Sequence, residues 1–244
     1  MANTLRLEAS MSRRADLSAA ERAVLRDLPV ERTVYAHGDR IVAEGVAPDG
    51  SCLLVDGMAM RSHRIGGSER VISALHVPGD FIDLHSFLLQ HIDHDILAVG
   101  PCTVEFVAAA DLEAITQDHP HLARLLWLDT LIDAKMHRVW VTTRAALRGT
   151  ERVGHLLCEL HARMHAVGLV FADGFAIPLD QRGIAEALGY SVVHVNHAVR
   201  DLRAEGLLEW ERGHVRLPDP SRLRSYSGFD PAYLELRQPP DREP

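Results

Sequence analysis

Apolar positions along this chain change period twice, and each change marks a change of architecture. Leu17, Ala20, Val24, Leu25 and Leu28 recur at helical spacing, so Ser18 to Leu28 reads as a helix that Pro29 ends. Met1 to about Asp16 is polar and reads as loose chain. From Val30 to about Ala109 the texture is different. Short β-rich runs (VERTVYAHGD, IVAEGVAPDG, CLLVDG, MAMRSHRIGG, ERVISALHVPGD, ILAVGP, CTVEFVAA) alternate with glycine turns. Turn signals at roughly eight- to twelve-residue intervals indicate a sandwich, barrel or β-roll. Between two of these runs, FIDLHSFLLQ and the following HIDHD read as a short helix or loop covering one mouth of the roll. Asp111 to Gln117 is a short helix ending near Pro120, and His121 to about Leu147 is a long helix without Gly or Pro. Gly149 breaks it, and Thr150 to about Ala166 forms another helix with Val153, Leu156, Leu157, Leu160 and Met164 at helical spacing.

The second change comes at Leu179 to Gly206, LDQRGIAEALGYSVVHVNHAVRDLRAEG. Asp180 can cap a short helix carrying Ile184, Ala185 and Leu188. Gly189 then supplies a sharp turn, and Ser191 caps a longer helix with Val195, Ala198, Val199 and Leu202 on one face. This is the helix-turn-helix pattern, in which the second helix enters the major groove. A structural helical hairpin has the same spacing. Two features favour DNA: Val192, Val193, His194 and His197 lie outside the apolar stripe or at its edge, and LLEWERGHVRLPDP reads as a strand–turn–strand wing.

In the long helix, Leu122, Leu125, Leu128, Ile132, Met136, Val139, Thr143 and Leu147 lie close to one seam, widened by Trp127, Leu131 and Trp140. Pairing of two copies would bury such a seam, with Leu125, Leu128, Ile132, Met136 and Val139 as its dimer face. The other reading is a core helix packed on the roll. The expected fold class is α+β: an N-terminal antiparallel, jelly-roll-like β-roll, a long dimerisation helix and a C-terminal winged helix-turn-helix. The expected divisions are 17–119 for the roll, 120–148 for the helix and hinge, 149–220 for the winged helix-turn-helix, and 221–244 for a tail.

The 244 residues carry 47% hydrophobic and 25% charged positions, as in a soluble globular protein. No run is long and apolar enough for a membrane span, and no signal-peptide pattern opens the chain. Cys52, Cys102 and Cys158 are odd in number and far apart, so a reduced, cytoplasmic chain with buried thiols is expected. Net charge is −8, and even Pro178 to Leu217 holds five arginines against six acids. DNA binding would therefore depend on where the arginines point, and salt would screen it readily.

The order of roll, long helix, hinge and winged helix-turn-helix resembles the Crp/Fnr family of bacterial transcription regulators. The resemblance covers roughly Leu17 to Tyr233 and is carried by HVPGDFIDL, LIDA, ERVGHLLCEL and above all IAEALGYSVVHVNHAVRDLRAEGLL. It implies a homodimer that responds to an effector, binds a palindromic site on double-stranded DNA and contacts RNA polymerase. The family's base-reading places fall on Val192, Val193 and His197, following Ser191, with His194, Asn196 and Arg200 as further contacts. Gln181 and Arg182 join Ser191 on the phosphate side. Valines can meet thymine methyls, but this set lacks the bidentate arginine–guanine contact of the cAMP-responsive members. Their ribose-binding Gly-Glu pair falls here on Asp83–Leu84 and their phosphate-binding Arg-Ser pair near Ile92–Asp93, with no arginine between Arg70 and Arg124. A phosphate among Asp83, Asp93 and Asp95 would be repelled, so no cAMP binding is expected. No cysteine precedes Cys52, so no iron–sulfur cluster of the oxygen-sensing kind is expected either.

The candidate effector pocket is Phe81, Asp83, Leu84, His85, His91 and His94, for an unidentified effector. His85, His91 and His94 lie within ten residues, and His91 and His94 could share a helix face. Imidazole ligates metals and haem, yet solvated or hydrogen-bonded loop histidines are the plainer reading, and no cofactor or metal is expected. No ordered HxH…E…H spacing supports a cupin-like enzyme, so no catalytic residues are assigned. Two rivals remain: a ligand- or metal-sensing interaction module whose helix-turn-helix does not read DNA, and a regulator controlled only by its abundance.

Overall fold

Gly57 and Gly100 read as turns in the sequence, yet both are bends inside long strands. In the computed structural model, which describes residues 5–64, 66 and 70–236, CLLVDG and MAMRSHR fuse into β3 (Gly50–Arg64). Likewise ILAVGP and CTVEFVAA fuse into β5 (Asp95–Ala108). The β3–β5 register shifts between Leu54 and Met58, so the extra residues form a bulge that curls the sheet. Gly57 has φ +80°, and a Cβ there would come within 2.4 Å of the Pro101 carbonyl oxygen. Only glycine makes this bend without strain.

β1 (Glu31–Tyr35) and β2 (Arg40–Val42) pair with β5, and β4 (Arg70–His76) pairs with β3. All these pairings are antiparallel, in the order β1-β5-β3-β4 with β2 also on β5. Strand alternation divides the side chains. Cys52, Leu54, Ala59, Ile96, Ala98, Cys102 and Val104 fill the roll's interior, whereas Leu53 and Val107 face outward onto helices. FIDLHSFLLQ contains a 3-10 turn, Leu84–Leu88.

α1 (Leu5–Ser12) and α2 (Ala19–Arg26) precede the roll; α3 (Ala109–Asp118) and α4 (Pro120–Ala146) follow it. Residues 5–12, expected to be loose, are helical because Leu7 and Met11 are buried against Phe81, Leu112 and Leu125. Residues 1–4 of that stretch lie outside the described residues. Ser18 caps α2 in a capping box with Glu21.

α5 (Gly149–Ala166) is the centre of the C-terminal half and is buried along most of its length. α6 (Gln181–Leu188), α7 (Val192–Ala204) and α8 (Pro220–Ser227) gather around it, with a three-stranded sheet in which β8 (His214–Arg216) lies between β6 (Gly174–Ala176) and β7 (Glu209–Glu211). The stretch expected as a tail from 221 is instead helical to Ser227 and forms a 3-10 turn at Pro231–Leu234. Leu223, Phe229, Tyr233 and Leu234 are buried in the core around α5, which accounts for the order; residues 237–244 lie outside the described residues.

That core does not stop at the hinge. Met58, Met60, Ile72, Leu75, Leu97 and Val99 of the roll join Val153, Leu157, Ile184, Leu188 and Val195 in one apolar cluster. Arg70 of β4 reaches Glu186 of α6 at 3.6 Å. A Cβ on Gly100 would lie 2.5 Å from Pro178 Cβ, so the roll and the C-terminal half are in direct contact.

The expected dimer face of the long helix is corrected. Leu125 and Ile132 are buried within this chain, and Met136 and Val139 pack against its own core. Leu128 is partly buried against the α1–α3 cluster. A second seam faces outward: Arg124, Trp127, Leu131, Ala134, Arg138, Val141 and Ala145 are all exposed, at alternating steps of three and four. The helix is apolar on two sides, and the roll takes the broader one.

Candidate nucleic-acid interface and effector cleft

α6 begins at Asp180, whose Oδ1 accepts from the Gly183 N–H at 2.9 Å. It ends on Gly189 at φ +67° and ψ +38°, a left-handed cap that turns the chain into α7. Ser191 Oγ accepts from the His194 N–H at 3.2 Å and starts α7. Val195, Ala198, Val199 and Leu202 point into the core. Ser191, Val192, Val193, His194, Asn196, His197 and Arg200 are exposed, with Val193 at 64%. Arg182 is exposed on α6, and Gln181 is partly covered. The proposed contact residues therefore lie on the outward side of the helix-turn-helix.

Two of them are restrained. His194 stacks on Tyr190 with ring centroids 4.5 Å apart. It also lies so close to Gly149 that a Cβ there would meet its Nε2 at 1.9 Å. His197 Nδ1 is 2.8 Å from Arg200 Nη2, which aims the guanidinium along α7. The wing is β7 (Glu209–Glu211) and β8 (His214–Arg216), joined by Arg212 and Gly213 at φ +48° and +79°. Both residues at positive φ match a tight hairpin turn of the type-I′ kind. Sequence reasoning did not assign Arg212 to the site, although its place before a turn glycine marks a wing tip. It also missed Arg148, Thr150 and Tyr226, which line a groove of about 530 Å³ with Val193, His194 and His197; their convergence depends on the packing of α5 and α8 beside α7.

The arginines are unequally engaged. Arg216 holds Glu209 with contacts of 2.7 and 2.8 Å, Arg222 holds Glu205 at 3.1 Å, and Arg203 donates to the Trp210 carbonyl. Arg182 and Arg212 hold no ion pair among the described residues.

The effector residues separate. Phe81 and Leu84 are buried in the cluster under α1, α3 and α4. Asp83 is 3% exposed, and its Oδ1 accepts from the Cys52 N–H at 2.7 Å. Burial pushes its carboxyl up to about 7, against the opposing pull of the Cys52 amide and Arg61. The unfolded chain releases this proton near the usual 3.8, so between pH 4 and 7 the fold holds more protons and loses stability as pH rises. The full effect is up to about 4 kcal/mol. Asp83→Asn keeps the acceptor for Cys52. It should stabilise the protein at pH 8 relative to wild type, with an advantage that shrinks toward pH 4. Urea denaturation at both pH values checks this; an equal difference at both would refute it.

His91 is exposed and apart from the others. Residues 89–94 are not helical, so its expected pairing with His94 on one face does not form. Asp95 pairs with Arg40 and accepts from the Glu44 N–H, so the three aspartates expected to repel a phosphate do not converge. Instead His85, Asp93 and His94 meet His63 and Arg61 of β3 and Thr130, Asp133 and His137 of α4 in a cleft of about 270 Å³. Arg61 donates to Asp133 at 2.8 Å, so its charge is matched. Burial pushes His94 down to about 4, helped by Arg61 and opposed by Asp93, and burial lowers His85 as well. The His94 ring is therefore neutral at pH 7. The local sequence could not bring Arg61, His63 or His137 here, since they arrive from distant elements.

A family model described as a Crp-like helix-turn-helix domain matches residues 151–226. The chain is 24% identical over 220 residues to the transcriptional activator protein FnrL of Cereibacter sphaeroides, covering 88% of each. It is also 24% identical to the nitrogen fixation regulation protein FixK of Bradyrhizobium diazoefficiens, covering 80% of this chain and 81% of that one. Among solved structures, FixK2 from Bradyrhizobium japonicum superposes with a TM-score of 0.73 at 24% identity, over 82% of this chain and 98% of the other. FnrL is named as a transcriptional activator and FixK as a nitrogen fixation regulation protein.

Proposed function

We propose that this chain is a transcription regulator of the Crp/Fnr type, a homodimer that reads a palindromic operator through α7 and answers a signal received by the roll. The observation that carries the reading is the outward row Val192, Val193, Asn196, His197 and Arg200 on a Ser191-capped helix whose other side is locked in the core. Two such helices, joined through the outward seam of α4, would meet half-sites about one DNA turn apart. Val192 and Val193 suit thymine methyls, and Asn196 suits an adenine edge. Gln181, Arg182 and Ser191 fix register on phosphates, RNA polymerase is the downstream partner, and the protein works in the cytoplasm.

Neither effector signature of the best-known branches fits. Three cysteines are one short of a four-thiolate cluster. All three are buried, and burial pushes Cys102 and Cys158 up to about 11, away from the thiolate a metal needs. The cleft cation, Arg61, is already held by Asp133, so a cyclic nucleotide's phosphate has no free guanidinium there. We therefore propose a signal other than cAMP or an iron–sulfur cluster.

Selection from a random duplex pool with the purified protein tests the function. Enrichment of a two-fold palindrome supports it; no enrichment with or without cell extract refutes it in favour of an interaction module. The paired arginines make the electrostatic part modest. With Arg182, Arg200 and Arg212 from each protomer meeting phosphates, the slope of log affinity against log salt should be about −5. Arg212→Ala should make it shallower by about 2 per dimer, and an unchanged slope would remove the wing tip from the interface.

A further inference from the structure

We infer that His85 and His94, with Asp93 holding the His94 ring in place, form a binding site for a divalent transition-metal ion in the cleft between the roll and α4. One donor atom from each of the three lies within 4.8 Å of the other two. His94 is 1% exposed, and its Nε2 is buried without a hydrogen-bond partner among the described residues. A buried polar atom left unpaired costs roughly 1–3 kcal/mol, so such an atom calls for an explanation. The opposite ring nitrogen, Nδ1, is 2.7 Å from Asp93 Oδ1. This is the carboxylate–histidine arrangement that fixes a ring's tautomer and leaves the far nitrogen as a ligand.

The rings around His94 are crowded in a way that apolar packing does not explain. The His85 centroid is 5.5 Å from that of His94, and the His63 centroid is 5.8 Å away. His63 Nε2 is engaged with Ser73 Oγ at 2.8 Å, so His63 closes the site more readily than it ligates. His137 of α4 borders the same cleft, and it or water can complete the coordination. Two imidazoles, His85 and His94, with His137 or water beside them suit Zn²⁺, Co²⁺ or Ni²⁺; Mg²⁺ and Ca²⁺ prefer oxygen donors throughout. Asp93 and Asp133 outweigh Arg61 in local charge, which favours a cation.

Asp133 and His137 flank Ala134, a member of the outward seam of α4. With His137 as a ligand, an ion at this site would tie the roll to the helix proposed to pair with its copy. That consequence rests on the homodimer reading, whereas the site itself does not.

The test is titration of the chelator-stripped full-length protein with Zn²⁺ against a chromogenic competitor, with Co²⁺ absorption as a second readout. One ion per chain at micromolar affinity or tighter is expected. His85→Ala and His94→Ala should each weaken it at least about tenfold, and exposed Asp93→Asn by about 10–100-fold. His91→Ala should leave it unchanged. Asp93→Asn keeps the test valid if His94→Ala does not fold. Absence of stoichiometric binding, or binding equal in the wild type, His85→Ala and Asp93→Asn, overturns the site. Loss of DNA selection with metal binding intact would overturn the regulator reading and leave the site standing.

Discussion

A chain carrying Leu131→Glu and Val141→Glu is expected to sediment as a folded monomer and to bind its operator at least about 100-fold more weakly than wild type. Trp127, Leu131 and Val141 are 65%, 49% and 59% exposed, a large apolar surface for one helix. With Arg124, Ala134, Arg138 and Ala145 they repeat at three and four residues, the spacing of a two-helix seam. Burying a Leu or Val side chain contributes about 1.5–3 kcal/mol, and two-fold symmetry counts each one twice. Glutamates at both places replace that gain with facing like charges. A monomer engages one half-site and loses the millimolar effective concentration that its partner supplies. Because both residues are exposed, the circular dichroism spectrum should be unchanged. A double variant that still sediments as a dimer would disprove the seam. Ile132→Glu, in the inward seam, should unfold the chain instead.

The second large effect is expected at Arg163. It is 5% exposed, and its guanidinium donates to Glu159 Oε1 at 3.0 Å and to Asp80 Oδ2 at 2.5 Å. Glu159 is fully buried and also accepts from Trp140 Nε1 at 3.1 Å and Tyr233 Oη at 2.7 Å. One carboxylate thus joins α4, α5 and the C-terminal turn, and Arg163 ties it to the roll. Arg163→Met leaves both carboxylates without their cation. Removing one partner of a buried pair costs about 3–5 kcal/mol. The urea midpoint should fall accordingly, and Arg163→Met combined with Glu159→Gln should recover part of the loss. A single variant within about 0.5 kcal/mol of wild type would mean that the network contributes nothing.

Neither effect could be assigned from sequence. Glu159 and Arg163 sit four apart, a spacing equally common on a solvated helix face, and nothing local says that Asp80, Trp140 and Tyr233 converge on them. The α4 seams illustrate the same point. Leu125, Ile132 and Trp127, Leu131 fit helical periodicity alike, and period alone does not say which side meets the roll.

The helix-turn-helix was legible residue by residue. The Asp180 and Ser191 caps, the Gly189 turn, the inward Val195, Ala198, Val199 and Leu202 and the wing all follow from local chemistry. Capping, backbone sterics and side-chain period act within a few residues, so the chain's order alone specifies them. The bends at Gly57 and Gly100, the docking of 220–234 on α5, the inward turn of Leu125 and Ile132, and the meeting of His63, His85, Asp93 and His94 required the folded molecule. Each depends on which surfaces bury each other across dozens of residues, a competition among apolar areas and buried charges that no short window of sequence contains.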